Sequence, residues 1–447
     1  MLRRIYLQEI PALNLNTGVE RIFGGMTMDK LAILGGSRAV QTDAGDMFTW
    51  PIITGEDEEA ALEVLRRGAM SGTDVTVQFE KEYGDWFGTK YALAHNTGTS
   101  SIHSAMFGCG VGVGDEIICQ SMTFWASVLQ AMNLGATIVY ADIDPDTITL
   151  DPADVERKIT DRTKAIVAVH YFGHPTDMDA IMEIANARGI KVIEDVSHAH
   201  GAEYKGRLTG GIGHVGAMSC MAGKSLAIGE AGMLVTDDQE IYERAVAFGH
   251  YERTGQIENP ELKKFAGLPL GGFKYRMHQL SSAVGRVQLR HYRERMEEID
   301  RSMNHFWDLL EGAPGLRAHR PPKGSGSTMG GWYAAHGIYV PEELGGLPLQ
   351  KFCEAVRAEG TSCGAGANLL MHLHPVLNDA DVYGHGEPTR VAHSDADVRQ
   401  GVGSLPQTER MSERLFSIPW FKHNRPEVIR EHAEAFRKVV AQAAELQ

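Results

Sequence analysis

From Gly114 onward the chain alternates between short apolar runs and stretches with helical spacing. DEIICQ is the first such run, SVLQAMNLG after it has helical spacing, and ATIVYADI is the next run. DPADVERKI opens on an aspartate suited to a helix start, KAIVAVHYFG is again apolar, and MDAIMEIANARG is helical with a glycine stop. IKVIEDVSHAHGA closes the series as a strand running into a loop. Continuous β-branched runs separated by amphipathic helices predict βαβ units, an α/β fold with a mostly parallel sheet covered on both faces. Ligands of such sheets lie beyond the carboxyl ends of the strands. That singles out Thr123, His170, Asp195, His198 and Ser219.

A second pattern follows. GGFKYRMHQLSSAVGRVQLRHYRERMEEIDRSMNHFWDLLE predicts long helices, and PPKGSGSTMGG reads as a Pro/Gly/Ser linker. YAAHGIYV, LQKFCEAVRAEG and VIREHAEAFRKVVAQAAEL predict a smaller α+β unit. The expected organisation is an N-terminal extension over 1–27, a large domain with an N-terminal arm over 28–300, and a small C-terminal domain over 301–447. Met28 is a candidate initiator, and no signal peptide is read in the first 27 residues.

Charge narrows the partners. The 447 residues carry 43 basic and 58 acidic side chains, a net charge of −15, which argues against nucleic acid and against an anionic membrane surface. No apolar stretch reaches the roughly 18–20 residues that span a bilayer. The five cysteines form no C-x-x-C pair, so free thiols in a reducing cytoplasm are expected.

Within SCMAGKSLAIGEAGML, Lys224 stands alone among small and apolar residues. A lysine desolvated in this way loses basicity and becomes an amine nucleophile, which suits a Schiff base with pyridoxal phosphate. Such a site needs a carboxylate facing the pyridine nitrogen, phosphate donors and an aromatic over the ring. Asp195 ends an apolar strand; Thr99 and Ser100 open a helix whose amides suit a phosphate; Ser219 precedes Lys224 by five residues; Phe124 follows a strand end. Each has an ordinary alternative as a cap, a turn residue or core. A metallohydrolase using His170, His198, His200 and Asp195 is the rival enzyme class. CGVGVGDE does not fit a dinucleotide fingerprint and reads as a turn before a strand.

Taken in order, NTGTSSIH, SMTFWAS, VHYFGHPTDMDAI, EDVSHAHGAEYKG, MSCMAGKSLAIGEAGMLVT and GGFKYRMHQLSSAVGRVQL resemble the DegT-type aminotransferases. These are pyridoxal phosphate enzymes of the aspartate-aminotransferase fold, fold type I, that make amino sugars and aminocyclitols. The resemblance runs from about Leu34 to the C-terminus. It implies that Lys224 is the Schiff-base lysine and proton shuttle, and Asp195 the partner of the pyridine nitrogen. Gly98, Thr99 and Ser219 fall on phosphate-loop positions, with Ser100 in the same helix start, and Phe124 on the ring-stacking aromatic. His170 is implied near the cofactor. His198 stands where many relatives carry glutamine, with an N–H for the cofactor's 3'-oxygen. Lys274 and Arg276 lie where the family sends a polar residue to the phosphate of the partner in a homodimer with shared active sites.

A lysine at 224 rather than a histidine implies transamination rather than sugar dehydration. The implied reaction is ping-pong, from glutamine or glutamate to a keto-sugar or ketocyclitol. The spelling is closest to the aminocyclitol and 3-amino-5-hydroxybenzoate synthase branch. Gly229 and Gly232 are expected to let the following turn pass close by. The segment 251–272 is a candidate for substrate selection, with Arg253 and Lys263 either meeting an anionic group or solvated. A non-catalytic regulatory member is the remaining alternative.

Overall fold

The computed structural model describes residues 29–447; the expected extension over 1–27 and Met28 lie outside them. Seven strands form the central sheet: β1 (Tyr91–His95), β2 (Glu116–Gln120), β3 (Thr137–Ala141), β4 (Thr163–Val169), β5 (Lys191–Asp195), β6 (Val215–Ser219) and β7 (Gly232–Thr236). Their order is β1-β7-β6-β5-β4-β2-β3, and within this sheet only β7 runs against its neighbours. The runs of β2, β3 and β7 are buried along their whole length, as a sheet covered on both faces requires.

The cover comes from α1 (Gly55–Arg66), α2 (Asp74–Phe87), α3 (Gly98–Gly108), α4 (Pro152–Lys158), α5 (Met178–Arg188) and α6 (Gln239–Gly249). Asp151 and Asp177 start α4 and α5 by accepting from the amides of Ala153 and Ala180, and Gly189, at φ +67°, ends α5. SVLQAMNLG forms two short 3-10 turns, Trp125–Ser127 and Leu129–Leu134, in place of one α-helix. The greater rise per residue of a 3-10 turn lets so short a segment return the chain to the start of β3.

The helix α7 (Gln279–Leu309) is continuous over 31 residues, so the boundary expected at 300–301 falls inside it. It packs on α1 and α2, and further along contributes Ile299, Met303, Phe306 and Trp307 to a second core. That core lies against an antiparallel sheet, β8 (Leu316–Ala318), β9 (His336–Tyr339), β10 (Gly364–Ala365) and β11 (Leu415–Ser417), in the order β8-β9-β11-β10. The helices α8 (Leu349–Ala358) and α9 (Pro426–Ala441) complete it through Phe352 and Phe436.

The segment read as a linker is tied down. Gly206 N donates to Gly326 O at 2.8 Å, Lys205 N to Ser327 Oγ at 3.1 Å, and Thr328 N to Glu203 O at 2.9 Å. A Cβ on Gly330 would collide with the Gly201 carbonyl carbon and Ala202 N. The small residues here permit close approach to the chain around 200–206 rather than freedom. No described helix is long and apolar enough to cross a membrane.

Candidate active site

The strands β1, β2, β4, β5 and β6 point the same way, so their carboxyl ends share one edge of the sheet. Gly232, which opens β7, pairs there with both His95 and Ser219. A cavity of about 680 Å³ lies at this edge, closed from the other side by residues of the four-stranded sheet. Eight of the predicted residues line it: Gly98, Thr99, Thr123, Phe124, Asp195, His198, Ser219 and Lys224.

One end of the cavity is the start of α3. Thr97 caps the helix: its hydroxyl accepts from Ser100 N at 3.1 Å, and Thr97 N donates to Ser100 Oγ at 3.2 Å. Ser100 does not line the cavity, because its hydroxyl turns back to donate to Asn96 Oδ1 at 2.7 Å; it shapes the helix start. The amides of Gly98 and Thr99 open the first turn and have no acceptor within the helix, leaving a positive helix end against the cavity. Gly98 cannot carry a side chain, since a Cβ there would collide with Ser219 Cβ and Cα and sit 2.8 Å from Ser219 N.

At the end of β5, Asp195 Oδ2 accepts from Ser127 Oγ at 2.7 Å and Oδ1 from Ser197 N at 3.0 Å. Ser127 Oγ is also 2.8 Å from Thr123 Oγ1. Lys224 is 8 % exposed. Burial lowers its ammonium to about 8, with the charges of Asp195 and Cys220 opposing the shift. Its carbonyl accepts from Trp50 Nε1 at 2.9 Å, which fixes the backbone while Nζ reaches into the cavity. Phe124 is half-exposed, with its ring on the cavity wall.

The four titratable groups of the metal reading do not converge, and the described residues contain no group of three or more His, Cys, Asp or Glu placed to hold a metal ion. His170 lies outside the cavity, a correction to its expected place near the chemistry. Its Nδ1 accepts from Thr176 N at 3.0 Å, so Nε2 carries the proton and donates to Glu194 Oε2 at 2.9 Å. His200 is buried against Cys220, with Nε2 3.7 Å from Sγ, and burial lowers it to about 3. His198 does face the cavity. Phe172 N donates to its Nδ1 at 3.3 Å, and burial followed by the Lys224 charge holds its pKa well below the usual range. It is therefore a neutral imidazole whose Nε2 bears the hydrogen.

Lys274 is exposed and Arg276 half-buried, and neither lines the cavity of its own chain; Arg276 bridges to His95 beside β1. Arg253, weighed as substrate-binding or solvated, is neither. It is buried, with NH1 2.7 Å from Glu80 Oε2. Lys263 is exposed.

Several cavity residues escaped the sequence reading: Ser127, Phe172, Tyr333, His336 and Asn368. Tyr171 Oη donates to Asn368 Oδ1, and the His336 ring stacks on Phe172 with centroids 3.8 Å apart. Lys224 Nζ lies 4.1 Å from the Tyr333 ring centroid. Phe172 (φ 54°), Trp332 (φ 55°) and Ala334 (φ 53°) are in the left-handed region, each at a cost of about 1–3 kcal/mol. The available signal was GGWYAAHG, two glycines beside paired aromatics, which had been absorbed into the linker and the strand after it.

The chain is similar to known proteins over most of its length. The spore coat polysaccharide biosynthesis protein SpsC of Bacillus subtilis is 29% identical over 408 residues, covering 88% of this chain and 96% of that protein. GDP-perosamine synthase of Caulobacter vibrioides is 36% identical over 261 residues, 58% of this chain and 68% of that protein. The crystal structure of an aminotransferase from Psychrobacter cryohalolentis superposes with a TM-score of 0.77 at 27% identity, covering 89% of this chain and 99% of that one. The architecture is that of the fold type I pyridoxal phosphate enzymes. The sequence pattern of the DegT/DnrJ/EryC1/StrS aminotransferases matches residues 51–437, and the chain belongs to that family.

Proposed function

We propose that this aminotransferase holds pyridoxal phosphate in the cavity at Lys224. There it moves an amino group from glutamine or glutamate to a keto-sugar or ketocyclitol in two successive half-reactions. The donor set fits the cofactor. The amides of Gly98 and Thr99 with the Ser219 hydroxyl suit a phosphate, Asp195 suits a protonated ring nitrogen, and the half-exposed Phe124 offers an aromatic face. Bound there, pyridoxal phosphate supplies an aldehyde that amines attack and a ring that delocalises the electrons released at the adjoining carbon.

The chain's own residues do the rest. Asp195, oriented by Ser127 and Ser197 N, would accept from a protonated ring nitrogen. His198 donates from Nε2 to an oxygen acceptor while staying uncharged. Lys224, lowered to about 8, has a much larger share of free amine at neutral pH than an exposed lysine, so Nζ would serve as the nucleophile and as the group that holds and returns a proton. The first half-reaction leaves the donor as its keto acid; the second places the same nitrogen on the acceptor's carbonyl carbon.

The observation that carries this reading is the desolvated Lys224 amine in one cavity with Asp195 and the open end of α3. The test is the absorption spectrum of protein supplied with pyridoxal phosphate. We expect a visible band that borohydride fixes on Lys224, that L-glutamine or L-glutamate discharges, and that Lys224→Ala lacks. Wild-type protein with no such band overturns the proposal.

The acceptor is proposed as a sugar or cyclitol ketone. The two curated relatives are named for spore coat polysaccharide and perosamine, and the motif spelling favours aminocyclitols and 3-amino-5-hydroxybenzoate. We also propose a homodimer in which Lys274 or Arg276 reaches the partner's phosphate site. Their position off their own cavity supports this, as do the exposed Phe265, Leu268 and Leu270 on the segment 251–272. Mixing Lys224→Ala protein with the Lys274→Ala/Arg276→Ala double variant restores activity if sites are shared; a fully active monomer overturns it. The five cysteines, all buried free thiols, support a cytoplasmic setting.

A further inference from the structure

Lys224 Nζ has no carboxylate in ion-pair contact among the described residues; its near neighbour is the face of Tyr333, 4.1 Å to the ring centroid. Asp195, whose charge reaches Lys224 without ion-pair contact, accepts from Ser127 Oγ and from Ser197 N. The ring is not there by accident of packing. Trp332 Nε1 donates to Asp300 Oδ1 at 2.7 Å, and Trp420 Nε1 to Gly331 O at 3.1 Å. A Cβ on Gly331 would collide with Ser225 and Tyr292 Oη. Both residues flanking Tyr333 are non-glycine and left-handed, a conformation that persists only where the surroundings enforce it. Tyr333 is then wedged at its edges by Trp420, with centroids 5.9 Å apart, and by His198, at 4.8 Å.

We propose that Tyr333 is a positioning residue whose ring face parks the Lys224 nitrogen whenever that nitrogen is charged and unbonded. The proposal rests on Lys224 being the cofactor lysine. In each half-reaction Nζ must leave its carbon, hold a proton and come back. A carboxylate in contact would trap the ammonium, and a wholly apolar wall would expel its charge. An aromatic face attracts a cation through its quadrupole and lacks the pull of a formal charge, so the nitrogen is held and can still leave. Trp50, through its bond to the Lys224 carbonyl, fixes the other end of the swing.

The test titrates Lys224 in protein stripped of pyridoxal phosphate, reading its acetylation rate by peptide mass spectrometry across pH. The titratable groups facing Nζ are Asp195, Cys220, His198, His200 and Tyr333, with Glu230 at the cavity wall. All but position 333 stay constant across the variants. Tyr333→Phe keeps the ring face, and we expect it to keep the wild-type midpoint. Tyr333→Leu removes the face, and pentafluorophenylalanine at position 333 keeps the shape but strips the ring of its negative face; each lowers the midpoint by about one unit. The fluorinated variant preserves packing and decides the matter should the leucine variant unfold. With cofactor restored, Tyr333→Leu lowers kcat and leaves the donor KM in place, and Tyr333→Phe restores kcat. An unmoved midpoint with pentafluorophenylalanine, or a Tyr333→Phe shift as large as that of Tyr333→Leu, overturns the assignment. A wild-type protein that takes up no pyridoxal phosphate would strike the cofactor reading instead, and the cofactor-free titration tells the two failures apart.

Discussion

Glu194 and Asp195 are neighbours on β5, and the pleat sends them to opposite faces of one sheet. Glu194 is finished. Its carboxylate accepts from His170 Nε2 and from the amides of Gly210, Ile212 and Gly213 at 2.6–2.9 Å. Burial alone would raise its pKa; the hydrogen bonds from His170, Gly213 and Gly210 reverse this and hold it below the usual range. Asp195 accepts from one hydroxyl and one amide and turns its remaining surface to the cavity. The same chemical group is a structural anchor on one face and a reactive candidate on the other. Incomplete pairing, rather than residue type, marks the working side of the sheet.

Substitutions on the finished face should cost stability, and those on the open face should cost ligand or even add stability. The largest effect is expected for Glu194→Ala, which strands His170 and the amides of Gly210, Ile212 and Gly213; urea unfolding should show a loss of about 3–5 kcal/mol. Lys224→Met should do the reverse in cofactor-free protein. Lowering from 10.5 to about 8 means the fold disfavours the ammonium, so its removal raises stability by about 3 kcal/mol at neutral pH. Between about 8 and 10.5 the unfolded chain binds more protons, so wild-type stability rises with pH and the advantage of Lys224→Met fades, which unfolding across that range checks. Gly98→Ala overpacks Ser219 and should cost about 1–3 kcal/mol while weakening retention of pyridoxal phosphate, read by dialysis and absorbance. The smallest effect is Ala334→Gly, which relieves a left-handed alanine and should raise stability by about 0.5–1 kcal/mol in thermal unfolding.

What was legible in the sequence is what local pattern encodes. The β-branched runs placed β2 to β5, and reading past their ends reached Thr123, Asp195, His198 and Ser219, all on the cavity wall. Lys224 stood out because a cation among small residues is costly unless used. His170 satisfied the same positional rule and failed, since the side chain turned to Glu194 and not to the edge. Arg253 looked solvated because its partner Glu80 lies 173 positions away. Tyr333 was hidden for the same reason: its meeting with Lys224 depends on a segment whose glycines read as looseness and serve as close contact. Composition cannot separate those two uses of glycine; only the approaching backbone does.

The contact of Gly98 with Ser219 has a counterpart, since a Cβ on Gly232 would collide with Thr97 O and sit 2.7 Å from Gly98 N. Gly98, Ser219 and Gly232, from separate parts of the chain, thus form one interlock at the end of the cavity where α3 begins. In evolutionary terms, a side chain added at Gly98 or at Gly232 is costly until the residue opposite gives way, so change there favours paired steps over single ones. The wall after β10 is constrained differently: a side chain added at Gly366 would meet nothing within 4 Å, yet its φ of +98° strains any residue but glycine. Variation of that wall therefore falls to the side chains of Ala365, Ala367 and Asn368 rather than to Gly366.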